Sequence, residues 1–189
     1  STLPILSPRS SSSASWFHLP QGLTSLELHQ LQHTDDLGRL DTLPRKLRSL
    51  DFGSSLVILF PEELESLPPG LTRLAGGPVS TLPDSLDASF SKLPRQLSSL
   101  EIQHRIDLSP SFGQLEQLPQ QLTTLHLRKI SSDCVAALPS TLTFLDAYLE
   151  FNYPLGPIQF PPNLQTWRNM SYPREWPMPP DFPPSLTSL

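Results

Sequence analysis

Apolar residues recur along this chain in a fixed phrase, Leu/Phe-Pro-x-x-Leu-x-x-Leu/Trp. The phrase begins at Leu19, Leu43, Leu67, Leu93, Leu118, Leu138, Phe160 and Phe182. Successive starts lie 24, 24, 26, 25, 20, 22 and 22 residues apart. A repeat of this length marks a solenoid, in which each unit buries its apolar side only against its neighbours. The fullest copies end in Leu-x-Leu or Leu-x-Ile, as in Leu26-x-Leu28, Leu100-x-Ile102 and Leu125-x-Leu127. That alternation has period two and predicts a short strand with one face inward. A strand of three to five residues is unstable alone; stacked on copies of itself it becomes one rung of a parallel sheet.

Between strands the chain has about 14 to 20 residues in which to cross the far side and return, which excludes long helices. Phe60-Pro61-Glu62-Glu63-Leu64-Glu65 reads as one helical turn, with Pro at its first position and acids at its positive end. Ser131-Ser132-Asp133 before Cys134-Val135-Ala136-Ala137 reads as a cap and a short turn. Leu82-Pro83 falls inside the longest repeat, too close to its neighbours to found a coil, and reads as an insertion. Leu3-Pro4 reads as a worn remnant of an earlier coil.

The 23 prolines among 189 residues fit this scheme, because Pro is placed before each strand and outside it. There a missing N–H costs little, and the fixed φ narrows the unfolded ensemble. The net charge of −5 gives no chain-wide attraction to nucleic acid or anionic membrane. No apolar run reaches the roughly 18 residues of a membrane span. A single cysteine, Cys134, and no visible signal peptide point to a reducing, intracellular setting, although the chain begins at Ser1 without an initiator Met.

The Leu-x-x-Leu-x-Leu core at this spacing resembles the leucine-rich-repeat superfamily over residues 19 to 189. Phe151-Asn152-Tyr153-Pro154-Leu155 followed by Phe160-Pro161-Pro162-Asn163-Leu164 resembles more narrowly the FNIP repeat of social amoebae and their relatives. That family joins a Phe-Asn-x-Pro-Ile/Leu phrase to an Ile/Leu-Pro-x-Ser-Leu phrase. Phe112-Gly113-Gln114-Leu115 before Leu118-Pro119 echoes it, and most other copies lack the Phe-Asn element. Leucine-rich-repeat effectors of enteric bacteria share Leu-Pro-x-x-Leu but end their repeats in Asn. Here that position holds Leu31, Ser55, Arg105, Ile130, Glu150 and Tyr172. No amide ladder is therefore expected between coils, and backbone bonds or water are expected to serve instead. The resemblance implies a curved, right-handed coil with one parallel sheet on its concave face, few short helices, and a binding role.

Residues flanking the inward leucines point outward. The central outward column is Glu27, Asp51, Ala75, Glu101, His126, Asp146 and Arg168; the next is His29, Gly53, Gln103, Arg128, Tyr148 and Met170. The C-terminal third brings Arg128, Phe144, Tyr148 and Arg168 to this face, residue types that dominate binding hot spots. These four form the candidate partner-binding site, weighed against plain solvated strand positions. Trp167 stands where a core leucine belongs and reads as packing.

His29 and His33 with Asp35 and Asp36 have a helix-like spacing on what reads as a loop, so no metal is assigned. Cys134 after a cap has a route to a lowered pKa, but a buried structural thiol is the better reading. Ser10 to Ser15 reads as flexible linker, and Asn169-Met170-Ser171 is a glycosylation sequon that matters only in a secretory compartment. No phosphate loop, zinc set or nucleophile elbow is present, so no catalytic residue, cofactor or metal is expected.

The expected organisation is a partly irregular segment 1–18 followed by a solenoid of about eight coils over 19–189, the last incomplete. The expected function is a non-catalytic protein-interaction scaffold, with no nucleic-acid or membrane partner. Two alternatives are a substrate-recognition arm for a ubiquitin ligase or kinase domain outside this chain, and a structural or carbohydrate-binding surface protein. The edge near Leu189 carries no evident cap, so further repeats or a partner are expected to cover it.

Overall fold

The computed structural model describes residues 2–6, 19–28, 40–53, 61–76, 90–102, 115–150, 158–168 and 182–188. Its strands are β1 (Thr2–Leu6), β2 (Ser25–Leu28), β3 (Ser49–Asp51), β4 (Arg73–Ala75), β5 (Ser99–Ile102), β6 (Thr124–Ser131), β7 (Phe144–Glu150) and β8 (Thr166–Arg168). They form one sheet of eight strands in chain order, every neighbouring pair parallel. One inward column runs across it: Leu26, Leu50, Leu74, Leu100, Leu125, Leu145 and Trp167 lie opposite one another in succession. Trp167 is buried as a core residue. Because β4 pairs directly with β5, the longest repeat forms a single rung, as an insertion requires. Leu82 itself lies outside the described residues.

Leu3 stands opposite Leu26, a strand leucine, and not at the level of Leu19. Thr2–Leu6 therefore forms a rung ahead of the first full coil, which is what a remnant of an earlier coil would leave, with Leu3-Pro4 in the strand and not in the turn.

The repeated phrase builds the same turn eight times. The N–H of Leu23, Leu47, Leu71, Leu97, Leu122, Leu142, Leu164 and Leu186 donates to the carbonyl of the Pro three residues before, at 2.9–3.1 Å. In the six interior copies from Pro44 to Pro161 that Pro is buried. A buried N–H without an acceptor costs free energy, so the residue that has none fits the position. A second tight turn precedes it. The N–H of Leu43, Leu67, Leu93, Leu118 and Leu138 donates to the carbonyl of Leu40, Leu64, Phe90, Leu115 and Val135. Those five residues are all buried and add an apolar rung that the short phrase does not contain.

Among the described residues the far side carries only short helical pieces. The α-helix α1 spans Pro61–Glu65, where the Pro-Glu-Glu pattern places it. Single 3-10 turns cover Leu40–Thr42, Phe90–Lys92 and Ser132–Ala137. Ser131 caps the last of these in position, but its side chain makes no cap hydrogen bond. Its hydroxyl donates to Asp133 Oδ1 at 2.9 Å.

What ties coil to coil corrects the expectation of backbone bonds or water alone. The residue after each turn leucine lends its carbonyl to two N–H groups of the next coil, from Thr24 through Gln165. Hydroxyls add to this row. Thr72 Oγ1 donates to Arg48 O at 3.0 Å, and Ser98 Oγ, Thr123 Oγ1, Thr143 Oγ1 and Thr187 Oγ1 donate at 3.1 Å to the preceding carbonyls of Thr72, Ser98, Thr123 and Gln165. Nearer the turn, Thr141 Oγ1 reaches Gln120 O and Leu122 O at 2.8 Å. Ser185 Oγ does the same to Pro162 O and Leu164 O at 2.8 and 2.7 Å. Ser and Thr thus do the work expected of an Asn ladder.

Close coil contact also fixes one glycine. Gly76 has φ +71°, and a Cβ there would lie 2.6 Å from Gly53 O and 2.8 Å from Gly53 N. Both are backbone atoms and cannot swing aside. Gly76→Ala is expected to lower stability by about 1–3 kcal/mol, whereas Gly22→Ala, with open space around its Cβ, changes it little. Thr123→Val is expected to cost about 1 kcal/mol, with Thr123→Ser retaining most of it. Urea-denaturation midpoints of the four variants check both statements.

Candidate functional site

The outer face of the sheet follows the strand register. Glu27, Asp51 and Ala75 lie opposite in turn across β2–β4, as do Glu101, His126, Asp146 and Arg168 across β5–β8. The expected central column is therefore real, with one exception in character: Ala75 is buried and offers nothing to a ligand. The flanking column holds Ser25, Ser49, Arg73, Ser99, Thr124, Phe144 and Thr166. Phe144 is its one aromatic residue.

Phe144 organises the C-terminal end of this face. Its ring lies 4.9 Å from that of His126, centroid to centroid. The guanidinium carbon of Arg168 sits 5.3 Å from its centroid, a cation–π contact. His126 Nδ1 is 3.4 Å from Asp146 Oδ2 on the neighbouring strand. Four side chains from three strands thus form one cluster, two of them expected as site residues and two not singled out. His126 and Asp146 were visible as outward positions; their contact required the register.

Arg128 and Tyr148 are both exposed but do not face each other. The pairing of β6 with β7 slips after His126, so that Lys129 lies opposite Tyr148. The slip is a bulge: Arg128 and Lys129 both escape the core before Ile130 returns to it. Equal spacing from the strand leucine placed Arg128 and Tyr148 in one column, and the extra residue breaks that rule. Lys129 Nζ pairs with Glu150 Oε1 at 2.7 Å. Tyr148 lies four residues along β7 from Phe144, roughly 13 Å away, and is 40% exposed. Towards the N-terminus Arg73 reaches Asp51 at 3.8 Å, so the acidic row is partly neutralised there.

Other candidate chemistry is accounted for as follows. His29, His33, Asp35, Asp36 and Asn169 lie outside the described residues. Among the described residues no group of three or more His, Cys, Asp or Glu side chains is placed to hold a metal. Cys134 is buried in the core. Burial pushes its thiol pKa up, and the neighbouring Asp133 carboxylate adds to the rise. That is the reverse of activation.

Comparison with known proteins bears on the fold. No family model matches the chain, and no curated protein does. A solved structure does match: the leucine-rich repeat-containing protein LegL7 from Legionella pneumophila, with TM-score 0.50 and 21% identity over 76% of this chain. The fold is leucine-rich-repeat-like. This chain spans 53% of the LegL7 chain, about half its length. No helix among the described residues is long and apolar enough to cross a membrane.

The thiol yields a direct check. Cys134 in the native protein is expected to react with a maleimide at pH 8 far more slowly than free cysteine. Denaturation removes the protection, and Asp133→Asn speeds the native reaction by removing the lesser of the two causes. Stopped-assay mass spectrometry of the adduct reads all three.

Proposed function

We propose that this chain is a non-catalytic protein-interaction scaffold, and that the outer face of its sheet, the concave side of a right-handed coil, contacts a protein partner through Arg128, Phe144, Tyr148 and Arg168. The cluster of Phe144 with Arg168 and His126, with the exposed Tyr148 further along the same strand β7, carries this reading. Aromatic and Arg side chains held rigidly on a scaffold supply contact area at small entropic cost. Strands β6 and β7 are each paired on both sides, which suits a surface that must keep its shape. If a catalytic domain accompanies this chain, the same face would serve as its recognition arm.

The FNIP-type relationship is part of this proposal. The Ser of an Ile/Leu-Pro-x-Ser-Leu phrase has a physical task here, since Ser185 and Thr141 at that position bond two carbonyls of the preceding coil. We also propose that a partner covers the edge beyond β8. Phe182 is 37% exposed, whereas the equivalent residues Leu43 to Leu138 are at most 6% exposed.

Affinity capture with the chain and with a variant carrying Ala at Arg128, Phe144, Tyr148 and Arg168 tests the scaffold reading. A stoichiometric partner lost from the variant, with an unchanged circular dichroism spectrum, is the expected result. Retention of the same partners by the folded variant would move the binding surface elsewhere.

A further inference from the structure

The charges on the outer face are not treated alike. Arg73, His126 and Lys129 each meet a carboxylate, from Asp51, Asp146 and Glu150 respectively. Arg168 does not. Its strand neighbour Asp146 is engaged by His126 on the other side, and Arg168 leans over the Phe144 ring instead. Among the described residues its guanidinium has neither a carboxylate nor a hydrogen-bond acceptor, and the side chain is exposed. A planar fork of donors thus lies over an aromatic ring with its hydrogen-bonding edge, among the described residues, open to solvent. Stacking removes part of the rotamer entropy that an Arg otherwise loses on binding.

We propose that Arg168 receives a carboxylate side chain of the protein partner, so that the partner segment combines one Asp or Glu with an apolar residue seated on Tyr148. This rests on the scaffold reading and names its partner's chemistry. Tyr148 lies on β7, two residues beyond Asp146, the residue opposite Arg168. The two anchors are therefore roughly 8 Å apart at the backbone, within reach of side chains two positions apart on one extended segment. A discrete carboxylate suits the site better than a polyanion. Asp146 lies opposite Arg168 and the chain as a whole carries −5, so a run of phosphates would gain little from the one guanidinium that lacks a carboxylate. The guanidinium accepts a carboxylate through two parallel bonds, which Lys cannot reproduce.

The test uses the full chain and a displayed library of random twelve-residue peptides. Peptides whose capture depends on Tyr148 are expected to share an Asp or Glu near an aromatic or aliphatic residue. Calorimetry with one such synthetic peptide is expected to show roughly tenfold or greater weakening for Arg168→Gln and an intermediate loss for Arg168→Lys. Asp→Asn in the peptide should cause the same loss, with no further loss when combined with Arg168→Gln. Selected peptides rich in Lys or Arg, or acidic peptides indifferent to Arg168→Gln, overturn the carboxylate proposal and leave the scaffold reading intact. If no selected peptide depends on Tyr148, Phe144 or Arg168 while circular dichroism shows a folded chain, both fall.

Discussion

Each coil hands its neighbour one carbonyl, that of the residue after the turn leucine, and the neighbour answers with two N–H groups. Everything else in the structure depends on this exchange being repeatable. A coil has too few residues to enclose its own leucines, so its apolar side stays covered only while the next coil sits directly upon it. The stack tolerates little sideways drift. The inward residues from Leu26 to Trp167 keep one register from β2 to β8, and the turn leucines from Leu23 to Leu164 are fully buried. Pro and hydroxyl residues follow from the same requirement. Pro occupies buried positions where an N–H would lack an acceptor, and Ser or Thr supplies an extra donor to the shared carbonyl row.

The proposed binding surface is a by-product of that regularity. Side chains of successive coils stand about 4.8 Å apart because the strands do, and this spacing lets His126, Phe144, Asp146 and Arg168 meet across three strands. Where the regularity fails, the surface changes. The bulge in β6 turns both Arg128 and Lys129 outward, frees Lys129 to pair with Glu150, and separates Arg128 from the Tyr148 row. A single additional residue thus sets which cation neighbours the exposed tyrosine.

The Leu/Phe-Pro-x-x-Leu phrase by itself determined the repeat, the parallel sheet and the inward column with Trp167 in it, and Pro61-Glu62-Glu63 determined the helical turn. Each of these depends only on local spacing, and local spacing is written in the chain. The four site residues were legible as outward, because period two decides the side of a strand. What they touch was not. The Phe144–Arg168 stack and the His126–Asp146 pair join residues 20 or more positions apart, and only the alignment of neighbouring coils brings them together. The hydroxyl ladder escaped for a similar reason: Ser and Thr after a turn leucine look like solvated loop residues until the preceding carbonyl is placed beside them. The tertiary structure alone decided these contacts, because register is a relation between coils and no single repeat contains it.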